Sequence, residues 1–275
     1  MPESIRIKLS ERPLEIDAAT RLFALRARFK PDADVIVLNG CPAVDDQPLA
    51  EGDEVVLIRR GEIPSADELE ALMAARHTPG VNDVLRKAAV GIAGLGGLGS
   101  SVAVALARSG LGRLVLADYD VVEPTNLNRQ QYFVDQIGEL KTDAMAANLA
   151  RINPCVEVHA HHLLLTSENV PGVFGDVDIL VEAFDAAAAK AMLVESFAKA
   201  RPDVPIVMAS GVGGYEPGNW IRARRAGRNL TLVGDGETAA VIGVGLMAPR
   251  VGIAAHQQAN AVVRLLMGRD PIEAS

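Results

Sequence analysis

A glycine-rich turn between an apolar strand and a helix restricts the fold of this chain more than any other feature. Residues 89–93 are the apolar run of a buried strand, and residues 100–108 have the apolar spacing of a helix. Glycine permits a tight turn and close approach of a phosphate, and a helix start binds anions through its free N–H groups. The turn therefore predicts a nucleotide-phosphate site. Its four glycines are Gly94, Gly96, Gly97 and Gly99.

Strand and helix patterns continue to alternate after this turn. Hydrophobic residues make up 49% of the chain and aromatic residues only 4%, so the core is built from small aliphatic side chains, which suits a parallel sheet. The predicted fold class is α/β, with a Rossmann-like, mostly parallel sheet and helices on both faces. Strands are predicted at residues 113–117, 156–159, 178–182 and 205–209, and helices at 186–200 and 250–267.

A small domain precedes this sheet, and its elements have the order of a ubiquitin-like β-grasp domain. Predicted strands lie at residues 4–9, 14–16, 35–38 and 54–58, with a helix at 18–29 and a turn at Asn39-Gly40. We therefore expect a β-grasp domain at 1–62, a helical connector at 63–88 and the nucleotide-binding domain at 89–275. In the connector, Ser65 is expected to cap a helix that Pro79 and Gly80 end.

Charge and cysteine content exclude several classes of protein. A net charge of −8 argues against general nucleic-acid or membrane-surface binding. Cys41 and Cys155 form no C-x-x-C pair, so no zinc is expected, and Cys155 is expected to be a buried, small apolar residue. The N-terminus does not read as a signal peptide, and Arg250 and His256 interrupt the longest apolar stretch. We expect a soluble cytoplasmic protein.

Asp118 ends the strand after the glycine turn. A carboxylate there is expected to accept hydrogen bonds from ribose hydroxyls. In the alternative, the glycines only allow close helix–strand packing and Asp118 is a solvated loop residue. The motif predicts a nucleotide without distinguishing ATP from NAD.

The next segment favours ATP, because residues 118–131 form an extended loop where a dehydrogenase would continue with a helix. In this loop Arg129 can supply a planar fork of donors to phosphate oxygens, and Asn126 can bind phosphate or ribose. Lys141, at the start of the next helix, could add a mobile second cation. Either cation alone would also fit an exposed surface charge. An NAD-dependent oxidoreductase stays open as an alternative, although no hydride-transfer site is recognisable.

Asp185 follows an apolar strand at the carboxyl edge of the predicted sheet, where ligands bind in such folds. Its carboxylate is expected to hold Mg²⁺ against the phosphates. The same residue would also serve as the N-cap of the following helix.

Together these segments resemble the ThiF/MoeB family, the bacterial relatives of ubiquitin-activating enzymes, from about residue 76 to the end. Residues 37–40 and 48–55 resemble sulfur carriers of the ThiS type, and the fused arrangement is similar to a second, shorter ThiF subfamily. The matching segments are residues 94–100, 118–120, 126–130, 138–141, 151–154 and 184–185.

The resemblance implies an adenylyltransferase that uses ATP and Mg²⁺ to activate the C-terminal Gly-Gly carboxylate of a small β-grasp sulfur carrier, as a homodimer. The fused ThiS-like domain favours a thiamine-related carrier. A non-catalytic ATP-binding scaffold is a further alternative. The resemblance implies that Asp118 binds the ribose, that Asn126, Arg129 and Lys141 bind the phosphates, and that Asp185 binds the magnesium. Asp120 is implied to belong to the nucleotide site, and Arg76, or else Arg86, to reach the γ-phosphate across the dimer.

The fused domain is not expected to be the enzyme's own substrate. Activation consumes a free carboxylate on a Gly-Gly tail, whereas the β-grasp segment continues through residues 59–62 into a helix, and residues 273–275 read Glu-Ala-Ser. We therefore expect an interaction or dimerisation module. The paired zinc cysteines of many relatives are missing, and neither cysteine matches a nucleophile or persulfide position.

Overall fold

The computed structural model describes residues 3–74, 77–78 and 80–272, apart from the side chains of residues 66, 67 and 74. The chain divides into two compact units between His77 and Thr78. This boundary falls inside the connector, and it groups the first connector helix with the N-terminal unit. The three-part division at 62/63 and 88/89 stays a prediction.

The N-terminal unit is a five-stranded sheet with one helix, the β-grasp arrangement. Its strand order is β2-β1-β5-β3-β4, in which β1 and β5 are parallel and the other pairs antiparallel. Leu22 and Leu25 of the helix are buried against apolar residues of the sheet, and this burial holds the unit together. The elements are β1 Ser4–Leu9, β2 Arg12–Asp17, α1 Leu22–Phe29, β3 Val35–Leu38, β4 Cys41–Pro42 and β5 Glu54–Ile58.

Two local features explain how the unit differs from the prediction. Helix α1 begins at Leu22 rather than at residue 18, because the Asp17 carboxylate accepts the Ala19 N–H at 2.7 Å and holds a turn there. At the other predicted turn, Asn39 and Gly40 both have positive φ (52° and 79°), the conformation of a tight hairpin turn. The turn creates β4, which the sequence did not predict.

The connector contains two short helices, α2 Ala66–Ala74 and α3 Val81–Leu85. The Glu68 N–H donates to the Ser65 hydroxyl at 3.3 Å, as expected for a capping serine. Helix α3 was not predicted. Pro79, expected to help end the first helix, lies outside the described residues.

The second unit is a seven-stranded sheet with order β11-β12-β10-β9-β6-β7-β8, parallel except at the edge strand β11. The strands are β6 Ala89–Ala93, β7 Arg113–Asp118, β8 Glu157–His162, β9 Ile179–Glu182, β10 Ile206–Ala209, β11 Arg222–Gly227 and β12 Leu230–Gly234. The helices are α4 Gly97–Arg108, α5 Lys141–Ile152, α6 Val170–Val173, α7 Ala187–Ala200 and α8 Ala248–Leu266.

Helices cover both faces of this sheet and bury two separate cores, as predicted. Helices α4, α5 and α8 contribute to one core, and α6 and α7 contribute to the other around Phe174 and Phe197. Strand order reverses at β6, whose neighbours are β7 and β9. Crevices for ligands form at such switch points, at the carboxyl ends of the strands. In the part of the chain that the structure describes, no helix is long and apolar enough to span a bilayer.

Two differences in this unit affect the candidate site. Helix α4 begins at Gly97 rather than at residue 100, so the last glycines of the turn form the first helical turn. The hairpin of β11 and β12 was not predicted, because its arginine-rich first strand lacks an apolar alternation.

Candidate functional site

The glycine turn lies at the switch point, and two of its glycines are required by close contacts. Gly94 has φ 91°, and a methyl group placed on Gly99 would lie 1.8 Å from the Gly94 carbonyl oxygen. A methyl group on Gly96 would meet only the Gln130 side chain, at 4.0 Å. The turn is therefore tightly packed at Gly94 and Gly99 and has open space beside Gly96.

The open side carries unused hydrogen-bond donors. Gly96 is the N-cap of α4, without a side-chain cap, and the Ser100 N–H is the first to bond back along the helix. The N–H groups of Gly96, Gly97 and Leu98 have no acceptor among the residues described. Free donors at the positive end of a helix suit a phosphate group.

Asp118 braces this turn. Its Oδ2 accepts the Leu95 N–H at 2.5 Å and its Oδ1 accepts the Asp120 N–H at 2.8 Å, and only 8% of the residue is exposed. The alternative of a solvated loop carboxylate is therefore wrong. Its role at the ribose stays a prediction.

Lys141 is held against Asp120 rather than being mobile. Its ammonium group donates to Asp120 Oδ2 at 2.8 Å, and its side chain is 6% exposed. The prediction of a mobile cation is wrong, since the first turn of α5 and Asp120 hold the group in place. The buried ammonium lies at the same edge of the sheet as the turn.

Tyr132 links the turn to Lys141, and the sequence did not single it out. Its hydroxyl lies 2.9 Å from the Leu95 carbonyl oxygen, to which it donates, and 3.5 Å from that of Lys141. Burial, together with the charges of Asp118 and Asp120, raises the pKa of Tyr132 well above its ordinary value, so the hydroxyl keeps its proton. No local pattern marks this residue, because its partners are distant in sequence.

The loop after Asp118 places Asn126 and Arg129 near the turn. Asn126 is buried and its Oδ1 accepts the Glu123 N–H at 3.1 Å, which caps a single turn of 3-10 helix. Arg129 Nη1 donates to the Thr125 carbonyl and Asn128 Oδ1, whereas the buried Nε has no hydrogen-bond partner among the residues that the structure describes. The Arg129 stem lies 3.3 Å from where a methyl group on Gly97 would be. Arg129 thus borders the start of α4.

A cavity of about 680 Å³ opens beside Arg129. One wall is Asn128 and Arg129, and the other consists of the apolar residues 240–242 and 244–247. The Asn128 side chain bonds the Leu246 carbonyl at 3.2 Å, which joins the two walls. The cavity therefore combines a cation with apolar surface.

Asp185 lies just past β9 and is exposed, with no hydrogen bond or ion pair to any residue in the described ranges. The N-cap of α7 is Ala186, without a side-chain cap, so the interpretation of Asp185 as N-cap is wrong. The preceding turn packs on the glycines, because a methyl group on Gly94 would lie 3.0 Å from the Ala183 carbonyl oxygen. The carboxylate is free for a ligand.

A buried ion pair supports this turn. Lys190 lies 3.0 Å from both carboxylate oxygens of Glu182, and the Phe184 N–H donates to the same carboxylate at 2.7 Å. Burial raises the pKa of Glu182, and the Lys190 ammonium opposes that rise. The sequence did not reveal this pair, whose members face each other only because α7 packs on β9.

The remaining predicted residues lie away from this cluster or outside the description. Arg76 lies outside the described residues. Arg86 ends α3 at the amino edge of the sheet, against Gly112, so within one chain it does not approach the turn. Cys41 is exposed and Cys155 is half-buried rather than buried. Within the described part of the chain, no three His, Cys, Asp or Glu side chains converge as metal ligands.

Comparison with known proteins identifies relatives that match just under half of this chain. The chain is 37% identical over 131 residues to tRNA threonylcarbamoyladenosine dehydratase of Bacillus subtilis (strain 168), covering 47% of this chain and 51% of that protein. It is 36% identical over 129 residues to adenylyltransferase and sulfurtransferase MOCS3 of Anopheles gambiae, covering 46% and 29%. The chain thus spans about half or less of the length of these relatives.

A solved structure shares the fold of the second unit. The E. coli tRNA N6-threonylcarbamoyladenosine dehydratase in complex with ATP superposes with a TM-score of 0.65 over 71% of this chain and 92% of that chain, at 23% identity.

Family models account for nearly the whole sequence. The model of ThiS-like ubiquitin matches residues 5–61, the unit with the β-grasp sheet. The model of the ThiF family matches residues 70–275, which include the glycine turn, Asp118, Arg129, Lys141 and Asp185. This chain belongs to the ThiF family and carries a ThiS-like ubiquitin domain ahead of it.

Proposed function

We propose that the chain binds ATP at the glycine turn and adenylates the C-terminal carboxylate of a ThiS-like sulfur carrier that ends in Gly-Gly. The cavity beside Arg129 carries the proposal. Its lining combines apolar residues, against which an extended peptide can pack, with the cation of Arg129, beside which a terminal carboxylate and the phosphates can lie.

The residues present fit a nucleoside triphosphate. The free N–H groups at the start of α4, the open space at Gly96 and the buried Arg129 Nε suit phosphate oxygens. Within the described ranges, neither Arg129 Nε nor the buried Oε1 of Gln130 has a hydrogen-bond partner. Asp118 and Asp120 are proposed to bind the ribose, and Asn126 and Lys141 to join Arg129 at the phosphates.

In the proposed reaction, a carboxylate oxygen of the carrier attacks the α-phosphorus of ATP. A bond forms between that oxygen and phosphorus, the bond to the pyrophosphate oxygen breaks, and an acyl adenylate results. No general base is needed, because the carboxylate is already ionised at neutral pH. Arg129 and Lys141 offset the charge that grows on the departing pyrophosphate. Asp185 would hold Mg²⁺, which neutralises phosphate charge when bound.

The ThiS-like unit favours a carrier of thiamine biosynthesis, and we propose that this unit recruits partners or supports a homodimer. Arg76 or Arg86 would then contribute from the partner chain. A second candidate is dehydration of a threonylcarbamoyladenosine nucleoside in tRNA, favoured by the identity with the Bacillus subtilis dehydratase. Such a substrate also presents a carboxylate to the same site.

The test is ATP–pyrophosphate exchange with a panel of purified carriers ending in Gly-Gly and, separately, with tRNA that contains threonylcarbamoyladenosine. Exchange that appears only with a carrier supports the proposal. Exchange that appears only with the tRNA supports the second candidate. ATP binding without exchange with either substrate would indicate a non-catalytic ATP-binding scaffold. Stabilisation against thermal unfolding by NAD but not by Mg-ATP would indicate an oxidoreductase.

A further inference from the structure

One exposed segment of the second unit, residues 215–225, concentrates aromatic and arginine side chains. It contains the only tryptophan of the chain, Trp220, which is 49% exposed, and Tyr215, which is 87% exposed. Tyrosine, tryptophan and arginine are the residue types enriched at the energetic centres of protein interfaces. In a chain with 4% aromatic residues, their exposure together on one segment is unexpected.

The segment is locally basic, although the whole chain has a net charge of −8. Three arginines oppose the single carboxylate of Glu216. Arg225 pairs with Asp270, whereas Arg222 and Arg224 form no ion pair with any residue in the described ranges. Charges on an edge strand also discourage aggregation, but that purpose does not require exposed aromatic residues beside them.

This segment is continuous with the cavity of the candidate site. The Gly214 N–H donates to the Gly245 carbonyl at 2.8 Å, and Gly214 forms a parallel bridge with Leu246. Gly245 and Leu246 line the cavity with Arg129. The exposed segment therefore begins at the rim of the cavity.

The buried ion pair of Arg250 and Asp235 supports the start of the segment. Arg250 is 2% exposed, pairs with Asp235, and donates from Nη1 to the carbonyl oxygens of Glu216 at 2.7 Å and Pro217 at 3.2 Å. The backbone next to Tyr215 is therefore fixed before any partner binds. A preformed surface loses less conformational entropy on association.

We infer that residues 215–225 dock the globular body of the carrier, through an acidic surface with apolar side chains close to its tail. This inference rests on the proposed function and assigns the body, rather than the tail, to a surface of this chain. Arg222 and Arg224 would face carboxylates of the carrier, and Trp220 and Tyr215 would form the apolar centre of the contact.

The spacing of the sheet agrees with this assignment. Strands β11 and β6 are separated by four strand intervals, which is roughly 19 Å at about 4.8 Å each. An extended tail of about six residues covers that distance. A carrier body at β11 can thus present its terminal carboxylate at the glycine turn after β6.

The experiment compares two substrates in ATP–pyrophosphate exchange: an intact ThiS-like carrier and a synthetic peptide of its terminal residues. The test variants are Arg222→Glu/Arg224→Glu and Trp220→Ala. The control is Arg108→Glu/Lys199→Glu, an equal charge change at exposed positions of α4 and α7. We expect the test variants to raise KM for the carrier roughly tenfold or more, with kcat retained. Peptide kinetics should stay unchanged, which also reports an intact fold.

Salt gives an independent readout, because exposed charges are screened. KM for the intact carrier should rise with ionic strength in the natural protein and much less in the charge-reversal variant. If both test variants keep the KM of the natural protein for the carrier, the docking inference is wrong, although the exchange itself still supports adenylation. If no carrier gives exchange, both the docking inference and the proposed adenylation are wrong. If the variants instead lose binding to a labelled single-stranded RNA and keep the carrier KM, the surface belongs to a nucleic acid and the inference fails.

Discussion

The ammonium group of Lys141 lies 2.8 Å from a carboxylate oxygen of Asp120, with the lysine side chain almost fully buried. The pair joins a residue proposed to bind the ribose, Asp120, to one proposed to bind the phosphates, Lys141. A fixed buried cation stabilises negative charge without reorganising, which is the property that phosphoryl chemistry requires.

Replacing Lys141 with methionine should weaken ATP binding by roughly 10–100-fold, the effect of losing one charged hydrogen bond. Arginine should not restore it, because its planar fork does not fit the space of the compact ammonium group. Isothermal calorimetry with ATP measures both effects. Lys87→Met, at an exposed lysine, is the control. ATP affinity equal to that of the natural protein would remove Lys141 from the phosphate site.

Arg129→Ala should lower turnover in carrier-dependent exchange on the order of a hundredfold or more, because Arg129 is proposed to contact the departing pyrophosphate. Circular dichroism should show an intact fold, since the side chain makes only local hydrogen bonds. The exposed Arg108 provides a matched arginine-to-alanine control. A folded Arg129→Ala variant with normal exchange would contradict the proposed contact of Arg129 with the pyrophosphate.

Asp185→Ala should lower exchange by a similar factor and raise the Mg²⁺ concentration that gives half-maximal rate. The carboxylate has no partner among the described residues, so its removal should leave the melting temperature unchanged. Titrations of Mg²⁺ at saturating ATP provide the measurement. Asp203→Ala removes an exposed carboxylate elsewhere as the control. An unaltered Mg²⁺ dependence would contradict the proposed metal role.

Two glycines of the same turn should respond differently to alanine. Gly99→Ala places a methyl group 1.8 Å from the Gly94 carbonyl oxygen, so the turn must shift and the melting temperature should fall. Gly96→Ala meets nothing closer than 4.0 Å, so that variant should keep its stability. Its methyl group would occupy the space left for phosphate, so ATP should no longer stabilise it in thermal unfolding. Equal behaviour of the two variants would contradict the proposed geometry.

Asp235 should contribute to stability against acid. Burial by itself would raise the pKa of Asp235, but hydrogen bonds from Thr238 and Glu237 and the charge of Arg250 outweigh it and hold the pKa below 3.8. A lowered pKa in the folded state gives stability that is present above 3.8 and is lost as pH falls through the folded value.

Asp235→Asn leaves the buried Arg250 without the carboxylate that neutralises its charge and should cost about 3 kcal/mol at neutral pH. The free energy of unfolding should also depend less on pH in the acid range than in the natural protein. Urea unfolding at a series of pH values measures both. Asp203→Asn is the exposed control. Parallel pH profiles for the natural protein and Asp235→Asn would show that this carboxylate keeps its ordinary pKa.

Much of the fold could be predicted because it depends on local pattern. Strand β6 was predicted at its observed bounds, since a buried parallel strand is a continuous apolar run. The half-buried antiparallel strand Val35–Leu38 was also predicted at its bounds, because the next two residues, Asn39 and Gly40, are a turn signal. The glycine spacing located the turn, because a positive φ at Gly94 and the contact at Gly99 require glycine. The edge hairpin was missed because arginines at an exposed strand carry no apolar alternation.

The sequence by itself determined the α/β class, the β-grasp unit, and which residues gather at the carboxyl edge of the sheet, since strand ends and glycine turns are local properties. Tertiary structure alone decided how those residues are held. Three interactions join residues from different elements: the ion pair of Lys141 with Asp120, the hydrogen bond from the Tyr132 hydroxyl to the Leu95 carbonyl, and the ion pair of Glu182 with Lys190. Such contacts arise only when helices pack on the sheet, and burial then fixes charges that the sequence alone would leave in solvent.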